Sequence, residues 1–208
     1  MFDFIQDLDG YFCEKYANYD KLCVLPGYRM PKMQTSEVRE DGRTYAYTLP
    51  ANTMRLAKQE NKDALLKELK GRLSDKTFSF SFRPLGIFSR IKNTFSKYAP
   101  YKWLKVILDK CGTNATEAGE LLSVDKEIWS GICTGKYLPT KNLILSLALT
   151  SQIGIEYTKD LLALCDYELD FTYEKDVVVA YLLEQKVYNR TMIDAALAEY
   201  KISNLFIA

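Results

Sequence analysis

The chain has 208 residues, 48% of them hydrophobic and 26% charged, with 10 glycines and 6 prolines; this is the composition of an ordered globular protein, most economically two modules, and it excludes a largely disordered one. A formal net charge of +1 gives no global attraction to nucleic acid or anionic lipid, so any such binding has to come from a local patch. The chain has no histidine, which removes the commonest general base, the usual zinc partner and every Ser-His or Cys-His pair, and with them most simple hydrolases.

Phe4, Ile5, Leu8, Phe12 and Tyr16 recur at mostly three- and four-residue intervals, which predicts an amphipathic helix that VLPGYRMPKM then breaks. In TSEVREDGRTYAYTLP two alternating runs flank Glu40, Asp41 and Gly42, and Asp-Gly between such runs predicts a hairpin. From Ala51 to about Leu73 the pattern is helical again, with Leu65, Leu69 and Leu73 on one side and Asn52 as a candidate cap. Phe78, Phe80 and Phe82 then alternate with serine, as in a strand that buries one face and joins the hairpin. Residues 1–82 therefore read as a small α+β module whose sheet is covered by one or both helices. Nothing in it assigns a role.

Between Arg83 and Lys110 seven cations, Arg83, Arg90, Lys92, Lys97, Lys102, Lys105 and Lys110, face a single acid, Asp109. Ile87, Phe88, Ile91 and Phe95 share one side of a helix, so residues 83–100 read as a basic amphipathic connecting segment. Two readings stand side by side: a solvated lysine face over a hydrophobic seam, and a polyanion-binding surface. A membrane-surface role is not expected, because the apolar residues suffice to dock the helix on its own protein.

Residues 101–208 read as helical almost throughout. Trp103, Ile107, Leu108 and Cys111 form a stripe ended by Gly112; Asn114 and Glu117 approach a capping box; residues 125–134 make a short helix closed by Gly135; and Thr140 caps a helix carrying Leu143, Ile144, Leu147 and Ala148. Segments near 156–165, 173–186 and 190–200 are acidic outside and aliphatic inside. The fold class is α+β, mostly α: a small α+β module followed by an all-α region.

Two short helices joined by a tight turn, within a run of five, resemble the lambda-repressor or Cro/C1-type helix-turn-helix family over about residues 101–168. NATEAGELLSV matches its second helix through Ala118, Leu122 and Val124, with Gly119 for the small residue at the helix crossing. The recognition helix would run from Asp125 to Thr134 around Trp129 and Ile132, and Gly135, Lys136, Pro139 and Thr140 resemble the family's exit into its next helix. The resemblance implies a regulator-like protein that binds DNA, with Lys126, Ser130, Lys136, Tyr137 and Lys141 as contacts. Arg90, Lys92, Lys97, Lys102 and Lys105 would help if the basic segment lies alongside.

The contact positions depart from the family more than the core positions do. Ala115 stands where a phosphate-binding Gln is usual, Asp125, Lys126 and Glu127 open the recognition helix, Gly131 replaces a longer side chain, and Ser123 replaces a turn glycine. Asp125 reads best as a helix cap. The alternative is a protein-interaction module on the same scaffold, presenting Trp129, Tyr137 or acidic helices. LPTKNLILSLALTSQIGIEYTKDLLALCDYEL and the later helices resemble helical C-terminal domains of uncharacterised regulator-like proteins from Gram-positive bacteria, and the hydrophobic helices after residue 170 are expected to pack within the monomer or to supply a homodimer interface.

GICTGKY is too short in its glycine spacing for a phosphate-binding loop, and DYELD lacks the central Gly and final Glu of a calcium loop. The five cysteines, Cys13, Cys23, Cys111, Cys133 and Cys165, show no C-x-x-C spacing and read as free thiols. The expectation is a cytoplasmic protein, not an enzyme, with no cofactor, no metal and no membrane partner. The sequons at Asn114 and Asn189 read as chance.

Overall fold

The computed structural model describes residues 4–29, 32–38, 42–50, 55–75, 81–203 and 205–208. Among these it holds eleven α-helices and four short strands, so the fold is α+β and mostly α, as the sequence predicts. The chain divides into two compact units, one of Met1–Leu73 with Phe171–Glu174, the other of Ser74–Asp170 with Lys175–Ala208. The sequence reading placed its first boundary near residue 82 and made 83–100 a connector; here the basic segment belongs to the second unit.

In the first unit α1 (Phe4–Lys15) buries Leu8, Phe12 and Cys13, and α2 (Tyr19–Leu22) is capped by Asn18, whose side chain accepts from Lys21 N. Strands β1 (Lys32–Val38) and β2 (Thr44–Pro50) form the expected antiparallel hairpin, with Val38 opposite Thr44. Its turn residues Glu40 and Asp41 lie outside the described residues, as do Asn52, Phe78 and Phe80; Phe82, expected in a third strand beside the hairpin, is instead outside any strand and belongs to the second unit, where its ring lies 5.6 Å from that of Phe206. Ser36, Glu37, Val38 and residues 42–46 are exposed rather than covered by helices.

Of the stretch read as one helix from Ala51 onward, the described residues hold a 3-10 turn at Leu56–Lys58 and then, after a break, α3 (Lys62–Arg72). Gln59 is the reason. Its buried side-chain amide accepts from Arg29 N at 3.0 Å and donates to Arg29 O at 2.6 Å, and its backbone is extended. That exchange satisfies a loop strand from within and interrupts the helical run. Leu65, Leu69 and Leu73 are buried as read, against α1 and Leu56.

Phe171–Glu174 join this unit through three anchors: Ala17 N donates to Phe171 O, Asn18 Nδ2 to Thr172 O, and Lys21 pairs with Glu174 at 2.9 Å. Lys70 and Asp9 make a second ion pair at 2.6 Å.

The second unit runs through β3 (Arg83–Pro84), α4 (Ile87–Phe95), α5 (Pro100–Lys110), α6 (Ala115–Glu120), α7 (Lys126–Cys133), β4 (Tyr137–Leu138), α8 (Lys141–Thr150), α9 (Ile155–Leu164), α10 (Glu174–Glu184) and α11 (Arg190–Glu199). The core lies around α8, buried from Asn142 to Leu149, and α10, whose Val177–Leu183 are buried on every side. A helix apolar all round has no solvent face to offer. The aliphatic residues of α10 thus pack within the monomer.

The segment 173–186 was read as acidic outside, but Glu174, Lys175 and Asp176 are buried. Lys175 pairs with Asp75 at 2.9 Å and donates to Asn142 Oδ1 at 3.1 Å. Asp176 pairs with Lys141 and accepts from Asp170 N at 2.6 Å. Paired in this way the charges tolerate burial. The two sequon asparagines have structural work as N-caps: Asn114 accepts from Thr116 N and Glu117 N, and Asn189 from Met192 N.

Candidate functional site

Of the ten sequence-derived contact residues α7 carries Lys126 and Ser130; Lys136, Tyr137 and Lys141 follow it, and Arg90, Lys92, Lys97, Lys102 and Lys105 lie on α4, on α5 and between them. The Asn114–Glu117 capping box is complete, with Asn114 N donating to Glu117 Oε2 at 3.0 Å. Asp125 caps α7, accepting from Glu127 N at 2.8 Å and Ile128 N at 3.2 Å. Its carboxylate is therefore committed to the helix start, which is the role read from the sequence.

Trp129 closes the angle between the two helices. It is 8% exposed, and its indole N–H donates to Ala115 O at 2.7 Å. A methyl group at Gly119 would stand 2.5 Å from that ring, so only glycine admits this approach. Gly131 has the same explanation: a Cβ there would enter the Tyr137 ring. What looked in sequence like a lost contact residue is the seat of Tyr137. Gly135, at φ +73°, ends α7 and packs under Tyr101.

The turn between α6 and α7, which holds Ser123, is tied down by residues 206–208. Ser123 N donates to Phe206 O and Ala208 N to Leu121 O, while Phe206 N donates to Ser146 Oγ at 2.8 Å.

On the outer side of these helices lies a groove of about 560 Å³, lined by Ala115, Gly119, Glu120, Leu122, Val124, Lys126, Trp129, Ser130 and Cys133. Burial pushes the Cys133 thiol up to about 11, so it stays protonated at neutral pH and is no nucleophile there. Lys126, Ser130 and Thr134 are exposed at four-residue intervals and share one face of α7. Thr134 in turn lines a smaller recess, about 280 Å³, with Ile87, Arg90, Ile91, Thr94, Tyr101 and Gly135. The exposed stripe of α7 thus runs into α4.

This juxtaposition comes from a pairing the sequence reading missed. Arg83 and Pro84 pair antiparallel with Leu138 and Tyr137, and Leu85 N donates to Lys136 O at 2.8 Å. The basic segment is therefore stitched to the exit of α7. Two-residue strands leave no periodicity to read, and only the Pro-flanked extended dipeptides hinted at them.

The ten sequence-derived contact residues divide sharply. Lys126, Ser130, Lys136, Arg90, Lys92, Lys97 and Lys105 are exposed. Tyr137 is half-buried against Gly131. Lys102 caps the end of α4, donating to Thr94 O at 2.6 Å and Ser96 O at 2.9 Å. Lys141 is spent on Asp176 inside the unit. Thr134 joins the exposed set; it sits one turn after Ser130, a spacing the sequence displays. Glu120, Asp125 and Glu127 are exposed near the start of α7 and oppose its cations.

No cluster of three or more His, Cys, Asp or Glu side chains suited to a metal ion occurs among the described residues. No family model, curated protein or solved structure matches the chain.

Proposed function

We propose that the chain is a regulator-like protein whose helical unit binds duplex DNA through α7, in the manner its resemblance to Cro/C1-type helix-turn-helix domains implies. The observation that carries this reading is the stripe Lys126–Ser130–Thr134 running into the recess lined by Arg90, which brings one exposed cation of α4 beside the helix that would enter a groove. Phosphate neutralisation supplies much of protein–DNA affinity. Six exposed cations, Lys126, Lys136, Arg90, Lys92, Lys97 and Lys105, serve that purpose, while Glu120 and Glu127 weaken it. Binding is therefore modest, steeply salt-dependent and little selective in sequence.

Fluorescence anisotropy of a labelled random duplex across a salt series tests this. Affinity should fall as salt rises, Lys126→Glu should lower it, and Arg90→Glu with Lys92→Glu should flatten the salt slope. Absence of binding at low salt would sink the reading.

The groove supports a second reading, a protein-interaction module. Leu122, Val124 and Trp129 offer an apolar floor and Glu120 an acidic rim, a surface suited to a short segment with apolar and basic side chains. If DNA is not bound, Val124→Asp should abolish capture of the partner without unfolding the unit.

A further inference from the structure

The apolar side of α4 is expected to dock on its own protein; Ile87 and Ile91 border the recess with Tyr101, Thr134 and Gly135, yet no side chain of the helix is buried. Ile87, Phe88, Ile91 and Phe95 are 72%, 89%, 53% and 84% exposed, Tyr98 beyond them is 72% exposed, and the helix has no buried residue. At about 100° per residue these four side chains fill an arc of about 100°, with Arg90 about 60° beyond one edge and Lys92 about 40° beyond the other. From Arg83 through Leu108 the chain holds Arg83, Arg90, Lys92, Lys97, Lys102 and Lys105 and not one carboxylate. Both ends of the helix are fixed, by the β3–β4 pairing before it and by the Lys102 ammonium on Thr94 O and Ser96 O after it. The face is thus held open by the fold.

We propose that α4 is a surface anchor for an anionic phospholipid bilayer, with Phe88 and Phe95 entering the acyl boundary and Arg90, Lys92 and Lys97 meeting the headgroups. Charge decides the occupant. A second copy of the same helix would bring cations against cations, and duplex DNA has no use for four adjacent apolar side chains, whereas an anionic lipid surface answers both the apolar arc and its basic flanks. Among the described residues no helix is long and apolar enough to cross a membrane, so the contact is peripheral. The inference does not depend on DNA binding by α7: Arg90, Lys92 and Lys97 serve either polyanion, whereas Phe88 and Phe95 serve the lipid alone and Lys126 the DNA alone.

Co-sedimentation of the full chain with vesicles of phosphatidylcholine and phosphatidylglycerol in about equal parts, against pure phosphatidylcholine, tests it. Binding to the anionic vesicles alone is expected. Phe88→Ser with Phe95→Ser should weaken it about tenfold or more with an unchanged circular-dichroism spectrum, as should Arg90→Glu with Lys92→Glu. Four results would overturn the proposal: no binding to anionic vesicles at low salt, equal binding to neutral ones, binding indifferent to the two phenylalanines, or a chain without vesicle affinity whose self-association the phenylalanine changes dissolve.

Discussion

Gly119 reads in sequence as the small residue of a helix crossing and Gly131 as a missing contact side chain, yet each is covered by an aromatic ring, Trp129 over one and Tyr137 over the other. A helix pair this short has little buried area, so its geometry depends on one large side chain seated closely. Trp129→Ala removes the ring and strands Ala115 O, and should destabilise the second unit by about 3–5 kcal/mol in urea denaturation. Gly119→Ala forces the ring away and should cost about 1–3 kcal/mol. An opposite case sits in the first unit. Tyr16 is fully buried with its ring stacked on Phe12 at 4.6 Å, and its hydroxyl has no hydrogen-bond partner among the described residues. Burial, reinforced by Glu174, holds the phenol above its ordinary range. Tyr16→Phe keeps the stack and discards an unsatisfied polar atom, so it should leave the unit equally stable or more stable by about 1 kcal/mol. A loss above that would mean the hydroxyl is bonded.

Six of the eight helices of the second unit, all but α4 and α6, share a way of ending that the sequence only half displays. Gly112 and Gly135 take positive φ after α5 and α7, but Gln152, Asp166, Lys186 and Lys201 take it after α8, α9, α10 and α11. In each of these four the next residue, Ile153, Tyr167, Val187 or Ile202, donates its N–H back to a carbonyl five residues earlier. This is the Schellman closure, in which the apolar residue after the left-handed one packs on the last turn. A side chain in that conformation costs about 1 kcal/mol or more relative to glycine, so Gln152→Gly, at an exposed site, should raise the thermal midpoint rather than lower it. Unchanged or reduced stability would mean the Gln152 side chain contributes more than its backbone strain. The same asymmetry explains what could be read in advance. Helices closed by Gly112 and Gly135, and those capped by Asn114, Asp125 and Thr140, carry their punctuation in local chemistry and were legible to within a residue or two. The start of α3 was not, because it depends on Gln59 reaching Arg29, thirty residues away. Nor was the place of α4, because the two-residue strands that hold it are too short to show a period. Of the candidate site, exposure at Lys126 and Ser130 followed from helical spacing. The commitment of Lys141 and Lys102 did not, since their partners, Asp176 and the carbonyls of Thr94 and Ser96, are set by tertiary packing.

Across the whole chain, the passages from one unit to the other fall at Leu73/Ser74, Asp170/Phe171 and Glu174/Lys175, and buried charge gathers at those same points. Asp75 and Lys175, each 3% exposed, pair just inside the second unit, and Asp176 takes both Lys141 and the N–H of Asp170. Replacing Lys175 by Met leaves the Asp75 carboxylate buried without its cation and should cost about 3–5 kcal/mol, whereas replacing both partners by apolar residues should cost much less. Asp176 adds a pH signature of definite sign. Burial raises its carboxyl above the ordinary 3.8, and the bonds from Lys141 and Asp170 N oppose that rise without cancelling it. The folded chain therefore holds this proton to a higher pH than the unfolded chain does. Its contribution to stability is complete below the unfolded value of 3.8 and declines as pH rises through the folded value. One proton limits the slope to about 1.4 kcal/mol per pH unit. Urea unfolding of the wild-type chain and Asp176→Asn over a pH series checks this: the difference in stability, wild type minus variant, should fall as pH rises from 3.8. A difference that grows with pH instead would mean that the Lys141 pair outweighs burial and that Asp176 is held ionised.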